Sequence, residues 1–343
     1  MGGIWALNLE LRQVADGIYA NSRALMQAEV ADVLVFDMDG VLINVHQSYP
    51  VVICKAVDAY LAEAGLVGDQ TAITPEETAW FKAAGGFNSD WALAQGIALI
   101  YLAKAALSGG IDISGLRHLS PDLATIARSA SQYGGGLDGL LRALQNLVDP
   151  HDLDEIVATS WDRGRITRLA QEFYAGDDAP TVFGVSNDTV KGQGLMLQES
   201  PLITRDQLVA APFRYGLYTG RNRGEVETAL EMAGLRGIFT EGAIVTEDRG
   251  MRKPDPEGLF TVARTLTPRL MIFAGDNLDD WQTAARYETE RSLDDPPCLF
   301  CGILGGSPGP LAYGLFQDRG ADLIAASSQA LVNWVQSRRQ NIS

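Results

Sequence analysis

Residues 33–40 read VLVFDMDG, four apolar residues followed directly by two aspartates that stand two positions apart. An apolar run of this kind suits a central strand of a parallel sheet, because helices bury both faces of such a strand. Carboxylates that follow the strand lie at its carboxyl end, where open α/β sheets bind their ligands. The stretch therefore predicts a buried strand with Asp37 and Asp39 at the edge of a ligand-binding crevice.

Further strand-like runs occur late in the chain, at residues 213–218, 270–274 and 297–304, with helical patterns between them, one of which begins near Arg223. This alternation predicts an α/β fold with a doubly wound parallel sheet and right-handed crossovers. The stretch that ends at about Glu29 has helical spacing, so we expect a helix there.

The middle of the chain has a different character, with Ala- and Leu-rich helical segments separated by glycine-rich breaks. We expect no strand ladder in this part. The sequence therefore predicts a discontinuous core, formed by residues 1–45 and 200–343, and an inserted, mostly helical domain, formed by residues 46–199.

The composition excludes some classes of partner. The chain has 343 residues, 46% of them hydrophobic, and a formal net charge of −16. Such a charge repels a phosphate backbone, so we expect no nucleic-acid partner. The most apolar stretch, residues 91–107, contains Gln95, Gly96 and Lys104 and falls short of a membrane span, so we predict a buried helix and no membrane.

The three cysteines, Cys54, Cys298 and Cys301, form no disulfide framework, and we recognise no secretory leader. Both observations predict a cytoplasmic protein. Cys298 and Cys301 make a CxxC pair, but the chain has too few further Cys and His residues for a convincing zinc site. We predict that the pair lies in an apolar strand.

Four short motifs stand at the ends of predicted strands or in the loops that follow them. Each is weak by itself, since D-x-D can be a solvated turn and a Lys-Pro pair can be an ordinary loop. Taken in this order on alternating strands, they indicate phosphoryl transfer through an aspartyl-phosphate. The motifs are DMDG at 37–40, TGR at 219–221, KP at 253–254 and GDNLDD at 275–280.

With these motifs the sequence resembles the haloacid dehalogenase-like hydrolase superfamily, in subfamily I, whose helical C1-type cap is inserted just after the first strand. The resemblance is closest to the IA group and its phosphatase-like proteins. It implies a Rossmann-like core and a magnesium-dependent phosphatase. The segments that carry it are residues 33–45 and 213–330 for the core motifs, with residues 41–45, 48–49, 85–91 and 253–259 for the group.

Phosphate ester chemistry explains why the motifs are acidic. A phosphate dianion repels an anionic nucleophile, so the site needs a hard cation with oxygen ligands. The predicted Mg²⁺ ligands are the carboxylates of Asp37, Asp276 and Asp280 and the backbone carbonyl of Asp39. By motif spacing we treat Asp279 as a supporting residue.

The resemblance also implies roles in catalysis. Asp37 is the predicted nucleophile, and Asp39 is the predicted acid for the leaving alcohol and then the base for water. Thr219 and the amide of Gly220 are predicted to hold phosphoryl oxygens. Lys253 is predicted to pair with Asp37 and with the phosphoryl charge.

The cap offers one candidate for substrate selection. Gly86, Phe87 and Asn88 form a segment in which glycine permits close approach, Phe offers a ring face and Asn can hydrogen-bond a hydroxyl group. In the alternative interpretation, the glycines end a helix that begins near Pro75, and Phe87 belongs to the core of the domain.

Arg221 follows the phosphate-binding Thr219 and is a second candidate for substrate binding. Its guanidinium group could pair with a substrate carboxylate or a second phosphate. A surface salt bridge with Glu225 is the alternative.

The predicted function is hydrolysis of a small phosphorylated metabolite. A sugar phosphomutase would use the same nucleophile and acid, and a non-catalytic module that binds a phospho-ligand would keep the fold alone. Dehalogenation is disfavoured, because it needs neither an acid at position 39 nor a metal. The sequence leaves the particular ester and the oligomeric state open, with a homodimer as one candidate assembly.

Overall fold

The computed structural model describes residues 10–87, 89–109, 112–305 and 312–340. These residues divide into two compact units. The first, here called the catalytic unit, contains the residues up to Asn44 and those from Ser200 onward. The second, here called the inserted unit, is Val45–Glu199.

The catalytic unit alternates strands and helices, whereas the inserted unit is helical. The strands are β1 Arg12–Ala15, β2 Ile18–Ala20, β3 Val33–Phe36, β4 Ile43–Asn44, β5 Ser200–Pro201, β6 Arg214–Tyr218, β7 Ile244–Val245, β8 Met271–Gly275, β9 Cys298–Ile303 and β10 Leu323–Ala325. The helices are α1 Ser22–Gln27, α2 Tyr49–Glu63, α3 Pro75–Ala83, α4 Asp90–Ser108, α5 Ile113–His118, α6 Leu123–Gln132, α7 Gly136–Leu144, α8 Pro150–Thr159, α9 Arg163–Ala175, α10 Ala179–Phe183, α11 Arg205–Ala210, α12 Arg223–Met232, α13 Glu257–Leu266, α14 Leu278–Glu290, α15 Ala312–Asp318 and α16 Ser328–Gln340.

Eight strands form the main sheet of the catalytic unit, in the order β1-β2-β10-β9-β8-β3-β6-β7. The six strands from β10 to β7 run parallel. Counted along the chain from β3, their order is that of a doubly wound Rossmann-like sheet. The α/β fold class predicted from the sequence is confirmed.

The first predicted strand, β3, lies in the middle of this sheet. It pairs with β6 on one side and β8 on the other. All four of its side chains are fully buried, as expected for a strand with helices packed on both faces. Burial of this apolar run fixes the position of the two aspartates that follow it.

The N-terminal segment differs from the expected helix. Among its described residues, β1 and β2 form an antiparallel hairpin, and the helix is limited to α1. The turn between the strands contains Asp16-Gly17, in which Gly17 has a φ of +65°, and Asp-Gly is a common hairpin turn. β2 also pairs antiparallel with β10, so the hairpin extends the edge of the sheet.

The inserted unit contains helices α2 to α10. The β-structure among its described residues is limited to an isolated bridge between Gly176 and Gln193. Helix α4 is long and apolar enough to span a membrane, but 67% of its most apolar window is buried. It packs against α2, α7 and α9. The prediction of a buried helix in this part of the chain is confirmed.

The two cysteines of the CxxC pair lie in β9, where both are buried and free. Burial raises the pKa of both thiols far above the ordinary value, which makes these side chains poor nucleophiles. The prediction that the pair belongs to an apolar strand is confirmed.

Candidate active site

The four motifs meet at the carboxyl edge of the sheet in the catalytic unit. β3 and β8 are neighbours in the sheet, although most of the chain separates them. The order of the strands reverses between these two, and a doubly wound sheet binds its ligand at such a point. Asp37 follows β3 and Asp276 follows β8, so the fold brings the two acidic motifs together.

The backbone after β3 turns sharply and holds the first motif in place. The amide of Asp37 donates to the carbonyl of Ala274 at 2.8 Å, which extends the pairing with β8 by one residue. The carbonyl of Met38 accepts from the amides of Leu42 and Ile43 at 2.8 and 2.9 Å. Asp37 is therefore buried at a position that the sheet itself fixes.

Lys253 joins the two acidic motifs. Its Nζ lies 2.8 Å from Oδ1 of Asp37 and 2.5 Å from Oδ1 of Asp280. The lysine side chain is only 4% exposed, so these ion pairs are screened little by water. The two carboxylates raise the pKa of Lys253 against the effect of its burial, and the side chain stays charged.

The fourth motif begins helix α14 and uses the helix terminus to orient its acidic residues. Asn277 caps the helix, with Oδ1 accepting from the amides of Asp279 and Asp280 at 2.9 and 3.1 Å. Oδ2 of Asp280 accepts in return from the amides of Asp276 and Asn277 at 3.1 and 3.2 Å. This reciprocal pattern is a capping box, so Asp280 is held by helix formation itself.

Asn277 also orients the other carboxylate of this motif. Its Nδ2 donates to Oδ1 of Asp276 at 3.2 Å. We did not predict this role from the sequence, although Asn followed three residues later by an acidic residue is a helix-start pattern that could have indicated it.

Three carboxylates form a cluster that fits a cation. Asp37, Asp276 and Asp280 are buried, and each offers an oxygen atom within 4.8 Å of the others. Asp279 is not a member of this cluster. Hard divalent cations prefer carboxylate oxygens, so the donor set suits the Mg²⁺ ion that the motifs predicted.

The electrostatics of the cluster also favour a bound cation. Burial raises the pKa of Asp37 to about 7, and Lys253 lowers it only in part. Burial likewise raises the pKa of Asp280 to about 6. A proton or a cation is needed to stabilise so many buried carboxylates, and a divalent ion supplies more charge than Lys253 alone.

The second motif supplies donors on the other side of Asp37. Thr219 is buried after β6, and its amide donates to the carbonyl of Val245 at 3.0 Å. The Thr219 hydroxyl accepts from the amide of Arg221 at 3.2 Å, which leaves the hydroxyl proton free for an acceptor such as a phosphoryl oxygen. Gly220 lies between them at an exposed position.

Arg221 is buried and pairs with a carboxylate within the protein. Its side chain is 1% exposed, so it is not on the surface, as a salt bridge there would require. Nε and Nη2 lie 2.8 and 2.6 Å from Oδ1 of Asp39. The predicted acid–base residue is therefore a partner of Arg221, a pairing that the sequence did not indicate.

Gly86 and Phe87, the predicted cap residues, have structural contacts within the inserted unit. Phe87 is 3% exposed and packs edge-on against Phe81, with 6.1 Å between ring centroids. A Cβ atom added to Gly86 would lie 2.6 Å from the backbone nitrogen of Gly136. Both observations favour the packing alternative, and Asn88 lies outside the described residues.

The comparisons with known proteins agree with the fold. Residues 206–287 match the family model of haloacid dehalogenase-like hydrolases. A search of curated proteins finds no match. The matched residues contain the second, third and fourth motifs, and together with the doubly wound sheet this match confirms the predicted resemblance to the haloacid dehalogenase-like superfamily.

Solved structures share this fold at low sequence identity. One is described as phosphatase Tt82 from Thermococcus thioreducens, with 23% identity and a TM-score of 0.52 over 78% of this chain and 92% of that chain. Another, a target of the Northeast Structural Genomics Consortium, has 19% identity and a TM-score of 0.56 over 88% and 97% of the two chains.

Proposed function

We propose that this hydrolase is a Mg²⁺-dependent phosphatase, which cleaves a small phosphate monoester through an aspartyl-phosphate on Asp37. The observation that carries the proposal is the position of Asp37. Its carboxylate lies at the switch point of the sheet, paired with Lys253 and clustered with Asp276 and Asp280. An anionic nucleophile can approach a phosphate dianion only where cations neutralise both.

In the first half-reaction, a carboxylate oxygen of Asp37 attacks phosphorus, and the bond between phosphorus and the ester oxygen breaks. The departing oxygen takes a proton from Asp39. Thr219 and the amide of Gly220 donate to phosphoryl oxygens, and Lys253 compensates their charge.

In the second half-reaction, Asp39 takes a proton from water, and the water oxygen attacks phosphorus. The bond between phosphorus and Asp37 breaks, which releases inorganic phosphate and restores the carboxylate. Asp37, Asp276, Asp280 and the carbonyl of Asp39 would hold Mg²⁺, which would supply positive charge to the transferring phosphoryl group.

The inserted unit follows the first motif of the core, the position at which a C1-type cap is inserted. We propose that it acts as such a cap, as in the IA subfamily, and that it excludes water during the first half-reaction. Its helical character supports this assignment.

The test measures phosphate release from a panel of sugar, polyol, nucleotide and carboxylate-bearing phosphates with Mg²⁺, and with excess chelator. We expect activity on at least one ester, its loss with chelator and its return with added Mg²⁺. The Asp37→Asn variant is the control, since it keeps the shape of the side chain and loses the nucleophile. Full activity in excess chelator, or in this variant, would contradict the mechanism.

A further inference from the structure

Arg221 and Asp39 form an ion pair whose two members differ in their exposure. The arginine side chain is 1% exposed, whereas that of Asp39 is 30% exposed. The buried member of such a pair has little freedom, so it sets the position of the exposed member. Arg221 therefore holds the carboxylate of Asp39 from the protein interior, while part of the Asp39 side chain remains exposed to solvent.

Both contacts fall on the same oxygen of Asp39. Nε and Nη2 of Arg221 lie 2.8 and 2.6 Å from Oδ1. Hydrogen bonds between a charged donor and a charged acceptor are about twice as strong as neutral ones. Oδ1 is thus fixed by the guanidinium group, and neither contact uses Oδ2, which stays available for exchange of a proton.

The backbone of Arg221 is fixed on both sides. Its amide donates to the hydroxyl of Thr219 at 3.2 Å, and its carbonyl accepts from the amide of Glu247 at 3.0 Å. The next residue, Asn222, forms the capping box of α12 with Glu225. The guanidinium group is therefore carried by a rigid segment, which is what a positioning group requires.

A substrate-binding role for Arg221 fits these contacts poorly. A guanidinium group that recognises a carboxylate or a second phosphate must present its donors to the ligand. Here the side chain is buried, and donors of Arg221 already contact a carboxylate within the protein. The geometry favours an action through Asp39.

We infer that Arg221 is a positioning residue for proton transfer by Asp39. It fixes Oδ1 and so directs Oδ2 towards the leaving oxygen in the first half-reaction and towards water in the second. General acid–base catalysis requires the two heavy atoms within hydrogen-bond reach, and an error of about 1 Å in such a position can cost about 100-fold in rate. The inference rests on the proposed phosphatase function.

The experiment is a double-mutant cycle with Arg221→Met, Asp39→Asn and the double variant. Met keeps the aliphatic length and removes the donors. Phosphate release is measured with glycerol 2-phosphate, which needs an acid for its alkoxide, and with 4-nitrophenyl phosphate, which does not. Arg223→Met is the matched control, because Arg223 stands two residues away and forms ion pairs with Glu227 and Glu241 at partly exposed positions.

We expect Arg221→Met to lower kcat on glycerol 2-phosphate by about 10- to 100-fold, with KM changed less than about twofold. In single turnovers the first half-reaction with 4-nitrophenyl phosphate should be much less affected. In the Asp39→Asn background, Arg221→Met should change kcat less than about twofold, since the group that it positions is already lost. Arg223→Met should match the wild type.

An equal loss of kcat in both backgrounds, or a higher KM at unchanged kcat, would overturn the inference and leave the proposed function standing. A wild type that releases phosphate from no ester of the wider panel would contradict the proposed function and the inference with it. If Arg221→Met does not fold, Arg221→Lys carries the same test. Lys keeps the charge but not the planar fork of donors, so its kcat should lie below that of the wild type, again only while Asp39 is present.

Discussion

At the scale of single residues, the site shows how buried charge is balanced. Lys253 contacts Asp37 and Asp280, and Arg221 contacts Asp39. Asp37, Asp39 and Asp280 thus each have a cationic partner, but Asp37 and Asp280 share one lysine. Burial raises the pKa values of Asp37 and Asp280, and the charge of Lys253 lowers them only in part.

The two proposed roles of Asp39 can be separated in Asp39→Asn. A nitrophenolate leaves without a proton, so the first half-reaction with 4-nitrophenyl phosphate should slow little, whereas the second loses its base. We expect a burst of nitrophenol, followed by a stall with phosphate on Asp37, and almost no burst with an alkyl phosphate. Rapid-quench kinetics and mass spectrometry of the Asp37 peptide measure both. Steady turnover of both esters at the wild-type rate would show that the proton comes from another group.

Asp276→Asn tests the proposed metal site, with Asp279→Asn in the first turn of the following helix as a matched control. Asp276 belongs to the carboxylate cluster and Asp279 does not. We expect Asp276→Asn to raise the Mg²⁺ concentration required for activity by about 10-fold or more, and to reduce the thermal stabilisation by Mg²⁺. Asp279→Asn should keep the wild-type Mg²⁺ requirement and the wild-type thermal stabilisation by Mg²⁺. An unchanged Mg²⁺ dependence in Asp276→Asn would remove this residue from the ligands.

At the scale of elements, the junction between β8 and α14 shapes the acidic cluster. Gly275 ends the strand, and a Cβ atom there would lie 2.3 Å from Cβ of Asp280 and 2.5 Å from its Oδ2. Glycine is therefore required so that the helix can start close enough to the strand. The close approach brings Asp280 to Lys253 and to the other carboxylates.

Gly275→Ala should accordingly displace Asp280. We expect weaker binding of Mg²⁺, lower phosphate release and a loss of stability of about 1–3 kcal/mol from overpacking. Gly314→Ala is the control, because Gly314 is a helical glycine with no atom within 4 Å of an added Cβ. The control should be neutral or slightly stabilising. Thermal melts with and without Mg²⁺ compare the two, and an unaltered response to Mg²⁺ in Gly275→Ala would contradict this account.

A second pair of glycines separates packing from backbone strain in the inserted unit. Gly86 and Gly65 have φ values of +76° and +81°, but only Gly86 has backbone atoms of another segment against its Cβ position. Gly65→Ala should lower the free energy of unfolding by about 1–2 kcal/mol, because an L-amino acid is strained at a left-handed φ. Gly86→Ala should lower the free energy of unfolding by more than this, and it should lower the activity on all esters equally. Unequal losses of kcat/KM across the panel would restore the substrate-selecting role.

The elements also show what sequence patterns reveal. The strands β3, β6, β8 and β9 were predictable because each is a run of mostly apolar residues, nearly all of which are buried. The shorter strands β7 and β10 have two and three residues, too few for a recognisable pattern.

The hairpin β1–β2 was missed for a related reason. The side chains of β1 are mostly exposed, so the strand lacks alternation. The Asp16-Gly17 turn was the available signal.

The site was predictable to a similar degree. Residues within one motif could be assigned from spacing, since a strand end and the following turn fix their positions locally. The contact between Arg221 and Asp39 joins residues 182 positions apart. Only the folded sheet brings them together.

At the scale of the whole molecule, both ends of the described chain complete the catalytic unit. β2, near the N-terminus, pairs with β10, near the C-terminus. Arg23 strengthens this junction with ion pairs to Glu288 at 2.6 Å and Asp322 at 3.3 Å. The N-terminal hairpin also covers the edge of β10, which would otherwise offer unpaired backbone groups.

The stabilisation of the folded protein by Mg²⁺ should depend on pH. Burial raises the pKa of Asp37 to about 7 and of Asp280 to about 6, above their ordinary values. Without metal, the folded state therefore binds more protons than the unfolded state, and these groups destabilise the protein as pH rises from about 4 to about 7. Mg²⁺ requires the ionised carboxylates, so its binding strengthens over the same range.

We expect the rise in Tm on addition of Mg²⁺ to be larger at about pH 8 than at about pH 5. Differential scanning fluorimetry with a Mg²⁺ titration at both pH values measures it. The Asp276→Asn variant provides the background response. A Tm rise that is equal at both pH values would show that these carboxylates do not bind the ion.

The two connections between the units have a consequence for the history of such a chain. β4 leads out of the catalytic unit and β5 leads back, and the two strands pair antiparallel, with Ile43 opposite Pro201 and Asn44 opposite Ser200. The chain therefore leaves and re-enters the catalytic unit at neighbouring positions, as in a hairpin whose loop is as long as a domain. A gene could lengthen, shorten or exchange that loop without moving any strand of the main sheet, so the inserted unit can change while the acidic cluster at the edge of the sheet is kept.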